Sequence, residues 1–344
     1  MVEVKNEELR VLELFAGYGS QSLALKMAGI PHKVVGISEI EPNAIKAYGM
    51  LHGKNIPNFG DITKINPKDI PDCDFVTYSF PCTDLSSLGK RKGMKEGSGT
   101  ASSLIWSVYG IIEEKRPKYL MLENVKGLLS KGNKSEFTRW CKALEGLGYT
   151  NSYQLLNASD FCLPQNRERV IMISVLDADK PFEIPTYYNN KKKRRTIRDI
   201  MDKVVDPKYN LKEDYKDTYH IDLGIHKDKD KIIKIGTISP TYGRRNAGLI
   251  FHADGISPTV IHGFGSGGNN VPHIYMGTND GVDEIRRLTP TECFRLQGVR
   301  DMYIEKLINS GEFSDTKLYC LAGNSIPVNM MFPIFKTLFS DYKK

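Results

Sequence analysis

The sequence has no Cys-x-x-Cys pair, no apolar run of bilayer-spanning length and no internal repeat. Its six cysteines, at positions 73, 82, 141, 162, 293 and 320, are scattered. That argues against a disulfide framework and a structural zinc site, which both need clustered thiols. The lack of a long apolar run argues against a membrane span. The polar, acidic stretch from Met1 to Glu8 lacks the basic and apolar regions of a secretory signal, so the expected location is cytoplasmic. A large charge excess is missing too. The 48 basic and 41 acidic residues leave a net charge of +7, which suits a polyanionic partner without requiring one.

What is present is a chain of 344 residues with ordinary globular composition, enough for one large domain and a smaller one. The first half alternates β-type and helix-type runs. Residues 10–15, 34–38, 74–80, 119–122 and 169–175 read as strands. Residues 22–27 and 42–51 read as helices, with Pro42 suited to a first turn. Leu104, Ile105, Val108, Tyr109 and Ile112 lie at helical spacing. Strands separated by helices predict βαβ units and a mostly parallel α/β sheet. After about residue 180 the pattern weakens into a basic run at 191–195, a charged stretch and then Gly-, Pro- and Ser-rich pieces. Residues 185–285 therefore read as a second, irregular, β-rich domain. Regular patterning returns at Thr289, which can cap a helix that has Pro290 at its first position and Glu292 completing a capping box.

In an open parallel sheet, ligands bind beyond the carboxyl ends of the strands. Gly17 and Gly19 form a turn after the first strand, and Glu39 ends the second, about 20 residues on, where a ribose-binding acid belongs. The third glycine of the dinucleotide pattern is replaced by Ser22, and no P-loop lysine is present. The turn therefore fits a nucleoside better than a pyrophosphate, with a purely structural turn as the alternative.

Three further strand ends carry reactive groups. Cys82 follows the strand at 74–80, with Lys90, Arg91 and Lys92 downstream, as a thiolate nucleophile needs. Glu123 ends a neighbouring strand and can hold a proton against a ring nitrogen. Arg167 and Arg169 sit two apart at another strand start and face the same way on an extended chain. Taken singly, each has a bland reading as a proline turn, a cap or a solvated face. Their occurrence in order, each at a strand edge, favours chemistry. The other five cysteines read as small buried hydrophobes.

The ordered motifs resemble those of bacterial-type DNA cytosine-5 methyltransferases over nearly the whole chain. Glu13-Leu14-Phe15-Ala16-Gly17-Tyr18-Gly19 resembles the cofactor motif, Glu39 the ribose acid, and Gly60-Asp61-Ile62 the adenine-contacting segment. Phe80-Pro81-Cys82, Glu123-Asn124-Val125 and Gln165-x-Arg167-x-Arg169 resemble the catalytic motifs. In the last of these Arg169 matches the base-oxygen contact, and Arg167 a phosphate or structural role. Residues 287–298 resemble the motif supporting the recognition domain, and residues 323–328 the last motif, which returns to the cofactor pocket.

The resemblance implies the class I S-adenosylmethionine-dependent methyltransferase fold, a Rossmann-like mixed sheet, with a smaller irregular β-rich target recognition domain. The expected boundaries are 1–185 and 315–344 for the catalytic domain, 186–285 for target recognition and 286–314 for a hinge. It implies Cys82, Glu123, Arg167 and Arg169 as catalytic residues. S-adenosyl-L-methionine, released as S-adenosyl-L-homocysteine, would be held by Phe15, Ala16, Gly17, Gly19 and Ser20 on the first turn. Glu39, Ile40, Asp61, Ile62, Pro81, Leu104, Asn324 and Ser325 complete that expectation. Ser86, Lys90, Arg91, Lys92 and Thr259 are the implied DNA contacts, with Arg244 and Arg245 as candidates for phosphate contact. The implied partner is double-stranded DNA, in the nucleoid, acted on by a monomer, with room for a cognate restriction endonuclease acting separately. The implied reaction flips a cytosine out of the duplex and methylates its carbon 5. A tRNA cytosine-5 methyltransferase and a catalytically silent DNA-binding relative are the alternatives. The Cys-Phe-Thr signature of the tRNA branch is absent, and Cys293-Phe294-Arg295 does not match it. Thr83, Ser20 and Ala101 depart from the family's usual Gln, Gly and Arg.

Overall fold

The computed structural model describes residues 8–81, 101–188, 195–212, 215, 218–224, 231–238, 248–265 and 271–342. The chain divides into two compact units: Met1–Asn157, Glu168–Tyr188 and Met330–Lys344 form one, and Ala158–Arg167 with Asn189–Asn329 form the other.

The first unit is built on a six-stranded sheet of order β2-β1-β3-β4-β6-β5. Its strands are β1 (Leu9–Leu14), β2 (His32–Ser38), β3 (Phe75–Tyr78), β4 (Tyr119–Val125), β5 (Tyr149–Asn157) and β6 (Glu168–Leu176). The first four run parallel, and β6 is antiparallel to both β4 and β5. No long crossover is needed between β5 and β6, because antiparallel neighbours can be joined directly. The helices are α1 (Ser20–Ala28), α2 (Pro42–His52), α3 (Ile105–Lys115) and α4 (Lys134–Gly146). The last of these buries Phe137, Trp140 and Leu144, which recur on one helical face. Leu12, Leu14, Val76, Tyr78 and Trp140 share the main core. Strand alternation sends Glu13 to the opposite face from Leu12 and Leu14.

The second unit holds a five-stranded sheet of order β11-β10-β9-β8-β7. Its strands are β7 (His220–Ile221), β8 (Lys234–Thr237), β9 (Leu249–His252), β10 (His273–Asn279) and β11 (Val282–Arg287). Three helices follow: α5 (Pro290–Leu296), α6 (Asp301–Ile308) and α7 (Asp315–Gly323). The capping box expected at Thr289 is present: its side chain accepts the Glu292 N–H, and the Glu292 carboxylate accepts the Thr289 N–H. Glu292 is also paired with Arg286 at 2.6 Å, in the interior. The final helix, α8 (Val328–Leu338), belongs to the first unit from Met330 onward, and there the Phe335 ring meets Phe75 edge-on at 5.5 Å.

Residues 286–329 and the short segment 158–167 fall in the second unit. Within it the Gln165 amide donates to the Leu296 carbonyl at 2.8 Å, and the Arg167 guanidinium bonds carbonyls at 260, 323 and 325. The stretch Asp315–Leu338 would suffice to cross a membrane by length and composition alone. It is two helices separated by residues 324–327, and most of it is buried inside the protein.

Candidate active site

At the carboxyl end of β1 the chain turns sharply. Phe15, Gly17 and Gly19 all take positive φ, at 55°, 58° and 80°. Glycine tolerates this; a phenylalanine there costs roughly 1–3 kcal/mol, offset where Phe15 packs on the main core. Glu39 ties the turn to the end of β2. Its Oε2 accepts the Gly17 N–H at 2.8 Å, while Oε1 accepts the N–H groups of Ile40 and Glu41 at 2.8 and 2.9 Å. Ile40 beside it is 69% exposed, an unusual state for a large apolar side chain. Ser38 Oγ donates to the Gly60 carbonyl at 2.6 Å, fixing the next segment against β2. There Asp61 caps a short turn through the Thr63 N–H at 3.0 Å, which holds its carboxyl below the usual range.

Beneath the turn lies a carboxylate absent from the expected site. Glu13 is fully buried, and accepts from Ser22 Oγ and Tyr48 Oη, both at 2.8 Å. Burial pushes its pKa up to about 6, against the lowering effect of those two hydrogen bonds. The signal was available as an acid between Leu12 and Leu14 in a mostly apolar strand.

Two neighbouring strand ends carry the second cluster. Arg169 Nε lies 3.0 Å from Glu123 Oε1, with the two side chains only 13% and 10% exposed. Arg169 stands opposite Val125 in the β4–β6 ladder, so Glu123 is its diagonal neighbour on the same face. Next to Glu123, the buried Asn124 donates from Nδ2 to the Phe80 carbonyl at 3.0 Å and accepts the Val125 N–H at 2.9 Å. Asn124 thereby fixes the chain two residues before Cys82; only its place in the Glu123-Asn124-Val125 motif hinted at this. Cys82 itself lies outside the described residues, as do Ser86, Lys90, Arg91, Lys92, Arg244 and Arg245.

Comparison with known proteins decides the family, because the C-5 cytosine-specific DNA methylase family matches residues 9–340. The chain belongs to that family. It is 36% identical to the type II methyltransferase M2.ScrFI of Lactococcus lactis subsp. cremoris, over 97% of this chain and 99% of that one. It is 31% identical to the orphan methyltransferase M.SssI of Spiroplasma monobiae, over 96% and 97% of the two chains. In three dimensions the S. pombe Dnmt2 methyltransferase matches with a TM-score of 0.72 at 24% identity, over 97% of this chain and 99% of that one. That likeness bears on the fold alone. The fold is that of the class I S-adenosylmethionine-dependent methyltransferases, and the chain is a DNA cytosine-5 methyltransferase.

The methylase's first turn fits a nucleoside-bearing cofactor. Glu39 offers a fixed carboxylate for a diol, and a Cβ built on Gly17 would meet nothing within 4 Å. Exposed Ile40 and half-buried Phe15 offer apolar surface. Other expected cofactor residues are accounted for locally. Ala16 is buried in the turn, Ser20 Oγ donates to Gln21, Ile62 is buried in the core, and Leu104 packs against it. Pro81 ends the described segment after β3. Asn324 and Ser325 lie in the second unit, between α7 and α8.

Arg167 is 2% exposed, and its guanidinium donates to the carbonyls of Val260, Gly323 and Ser325 at 2.6, 3.0 and 2.6 Å. Those bonds fit the structural one of the two roles that the resemblance offered it. Thr259, expected at the DNA, donates its hydroxyl to the Asn166 carbonyl at 2.6 Å. Among the other cysteines, burial pushes Cys73 up to about 12, Cys141 up to about 11, and Cys293 well above its ordinary value. These three remain thiols at neutral pH. Cys141, Cys162 and Cys320 are partly exposed, unlike the buried hydrophobes expected.

Proposed function

We propose that the enzyme flips a target cytosine from duplex DNA and methylates carbon 5 through a covalent adduct with Cys82, within a specific short sequence. The observation that carries this is the Glu123–Arg169 pair at 3.0 Å, one residue from the asparagine that anchors Phe80. In this reading the Cys82 thiolate adds to carbon 6, and the ring electrons move toward nitrogen 3. Glu123 holds the proton that this nitrogen takes, and Arg169 fixes Glu123 and donates to the base oxygen. S-adenosylmethionine, held at Gly17, Glu39 and Ile40, supplies the methyl group when bound. A base then removes the carbon-5 proton, and the ring expels the Cys82 thiolate, restoring the aromatic product. Residues 186–285 serve target recognition, with Arg244 and Arg245 contacting phosphates, Thr259 the backbone, and Ser86 and Lys90–Lys92 contacting the DNA.

The test is parallel labelling of mixed-sequence duplex DNA and tRNA with methyl-labelled S-adenosylmethionine. The expected result is 5-methylcytosine in DNA; label confined to tRNA overturns the reading. Bisulfite sequencing of DNA from expressing cells then gives the target sequence. Because phosphate contacts dominate DNA affinity, binding falls steeply with added salt.

A further inference from the structure

We propose that His52 is a positioning residue for the cofactor turn, its Nε2–H gripping the Tyr18 carbonyl so that Gly17–Gly19 is held ready for the ligand. The inference rests on reading that turn as the S-adenosylmethionine site. It starts from the two ends of α2. Glu39, three residues before the helix, holds the Gly17 N–H at 2.8 Å. His52, the last residue of the helix, places Nε2 3.1 Å from the Tyr18 carbonyl oxygen. One helix thus brackets the turn at a donor and at the adjacent acceptor.

The proton on Nε2 is fixed by chemistry at the other ring nitrogen. Lys26 Nζ, on α1, lies 3.0 Å from His52 Nδ1. An ammonium group only donates. Nδ1 must therefore accept, which leaves the hydrogen on Nε2, aimed at Tyr18. Burial first, and then the positive charge of Lys26, push His52 down to about 3, which favours the neutral ring at neutral pH.

The ring also fills space against the turn. A Cβ placed on Gly19 would come within 2.5 Å of His52 Nε2 and 2.6 Å of Tyr48 Cε2. The two rings lie 4.6 Å apart, and Tyr48 is anchored by Glu13 below. The turn therefore rests on a platform of His52 and Tyr48, and the histidine supplies a hydrogen bond to its backbone.

The test is calorimetric titration of the full chain with S-adenosylhomocysteine, comparing wild type, His52→Phe, His52→Gln and Glu39→Ala. His52→Phe keeps a ring and loses the donor; His52→Gln restores a side-chain N–H. We expect His52→Phe to weaken binding roughly tenfold, the worth of one buried hydrogen bond, and His52→Gln to recover most of it. In turnover, the loss should fall on KM for S-adenosylmethionine more than on kcat. If Glu39→Ala loses binding while His52→Phe binds as wild type, or if His52→Gln is as weak as His52→Phe, the inference is overturned and the cofactor reading stands. If Glu39→Ala also binds as wild type, the cofactor reading itself fails. Nitrogen-15 NMR of wild-type His52 is independent of any variant's folding: an Nε2–H tautomer is expected, and an Nδ1–H tautomer overturns the inference.

Discussion

Asn124 Nδ2 donates to the carbonyl oxygen of Phe80 at 3.0 Å, joining the end of β4 to the chain that leads into Cys82. The bond is buried and joins residues 44 apart in sequence, so it ties down the chain that leads into the proposed nucleophile. The same residue's Oδ1 is occupied by the Val125 N–H, which fixes the side chain's orientation.

Asn124→Ala should therefore lower kcat by about tenfold to a hundredfold, as expected when a reacting group is displaced by about 1 Å. Binding of S-adenosylhomocysteine should change little. Steady-state kinetics and titration on the same preparation check this; an unchanged kcat would show that the anchor is dispensable.

The fold was largely legible because its signals are local. Strands at β1, β2, β4 and β6, the helices α1 to α3, and the Thr289 capping box follow from periodicity and turn chemistry. The helix α4 and the strand β5 were missed: α4 carries a charged exposed face, and β5 is an edge strand whose Tyr153 and Leu155 are exposed. Within the candidate site, Glu39, Glu123 and Arg169 were singled out by type and position, and the structure places Glu123 and Arg169 3.0 Å apart. The surroundings of Arg167 were not legible, because residues two apart share a face only while both stay extended. Its partners at 260, 323 and 325 are remote in sequence. No local pattern announces them. The same limit hid Glu13 and His52, whose contacts form only when α1 and α2 pack.

Arg167 should behave as a stability residue. Arg167→Leu leaves three buried carbonyls without their donor, at about 1–3 kcal/mol each, so a loss of about 3 kcal/mol or more is expected in urea denaturation. A variant with wild-type stability and lost turnover would place Arg167 in the catalytic set.

Glu123 should behave oppositely. Glu123→Gln keeps the size of the side chain and removes its proton-holding function, so kcat should fall on the order of 10²- to 10⁴-fold with the fold intact. Arg169→Lys keeps a charge but loses the planar guanidinium geometry, and should also reduce kcat. Near-normal turnover in Glu123→Gln would contradict its role at ring nitrogen 3.

Glu13 predicts a pH-dependent stability. Its carboxyl rises from an ordinary 4.5 to about 6 because burial disfavours the charge. Stability from the protonated form is thus fully present below pH 4.5 and lost as pH rises through 6. The gap corresponds to about 2 kcal/mol. Glu13→Gln, which cannot ionise, should gain about that much on wild type between pH 4.5 and 7.5, measured by urea denaturation at both. A difference independent of pH would show that Glu13 is not strained by its charge.

The central claim, covalent attack by Cys82, is tested most directly by trapping. Duplex DNA of mixed sequence containing 5-fluorocytosine is incubated with enzyme and S-adenosylmethionine, then run on a denaturing gel. Fluorine at carbon 5 cannot leave as a proton does, so the adduct cannot resolve. Wild type should give a covalent protein–DNA band, and Cys82→Ala none. A band that persists in Cys82→Ala, or no band from wild-type enzyme that methylates ordinary DNA, would contradict the account.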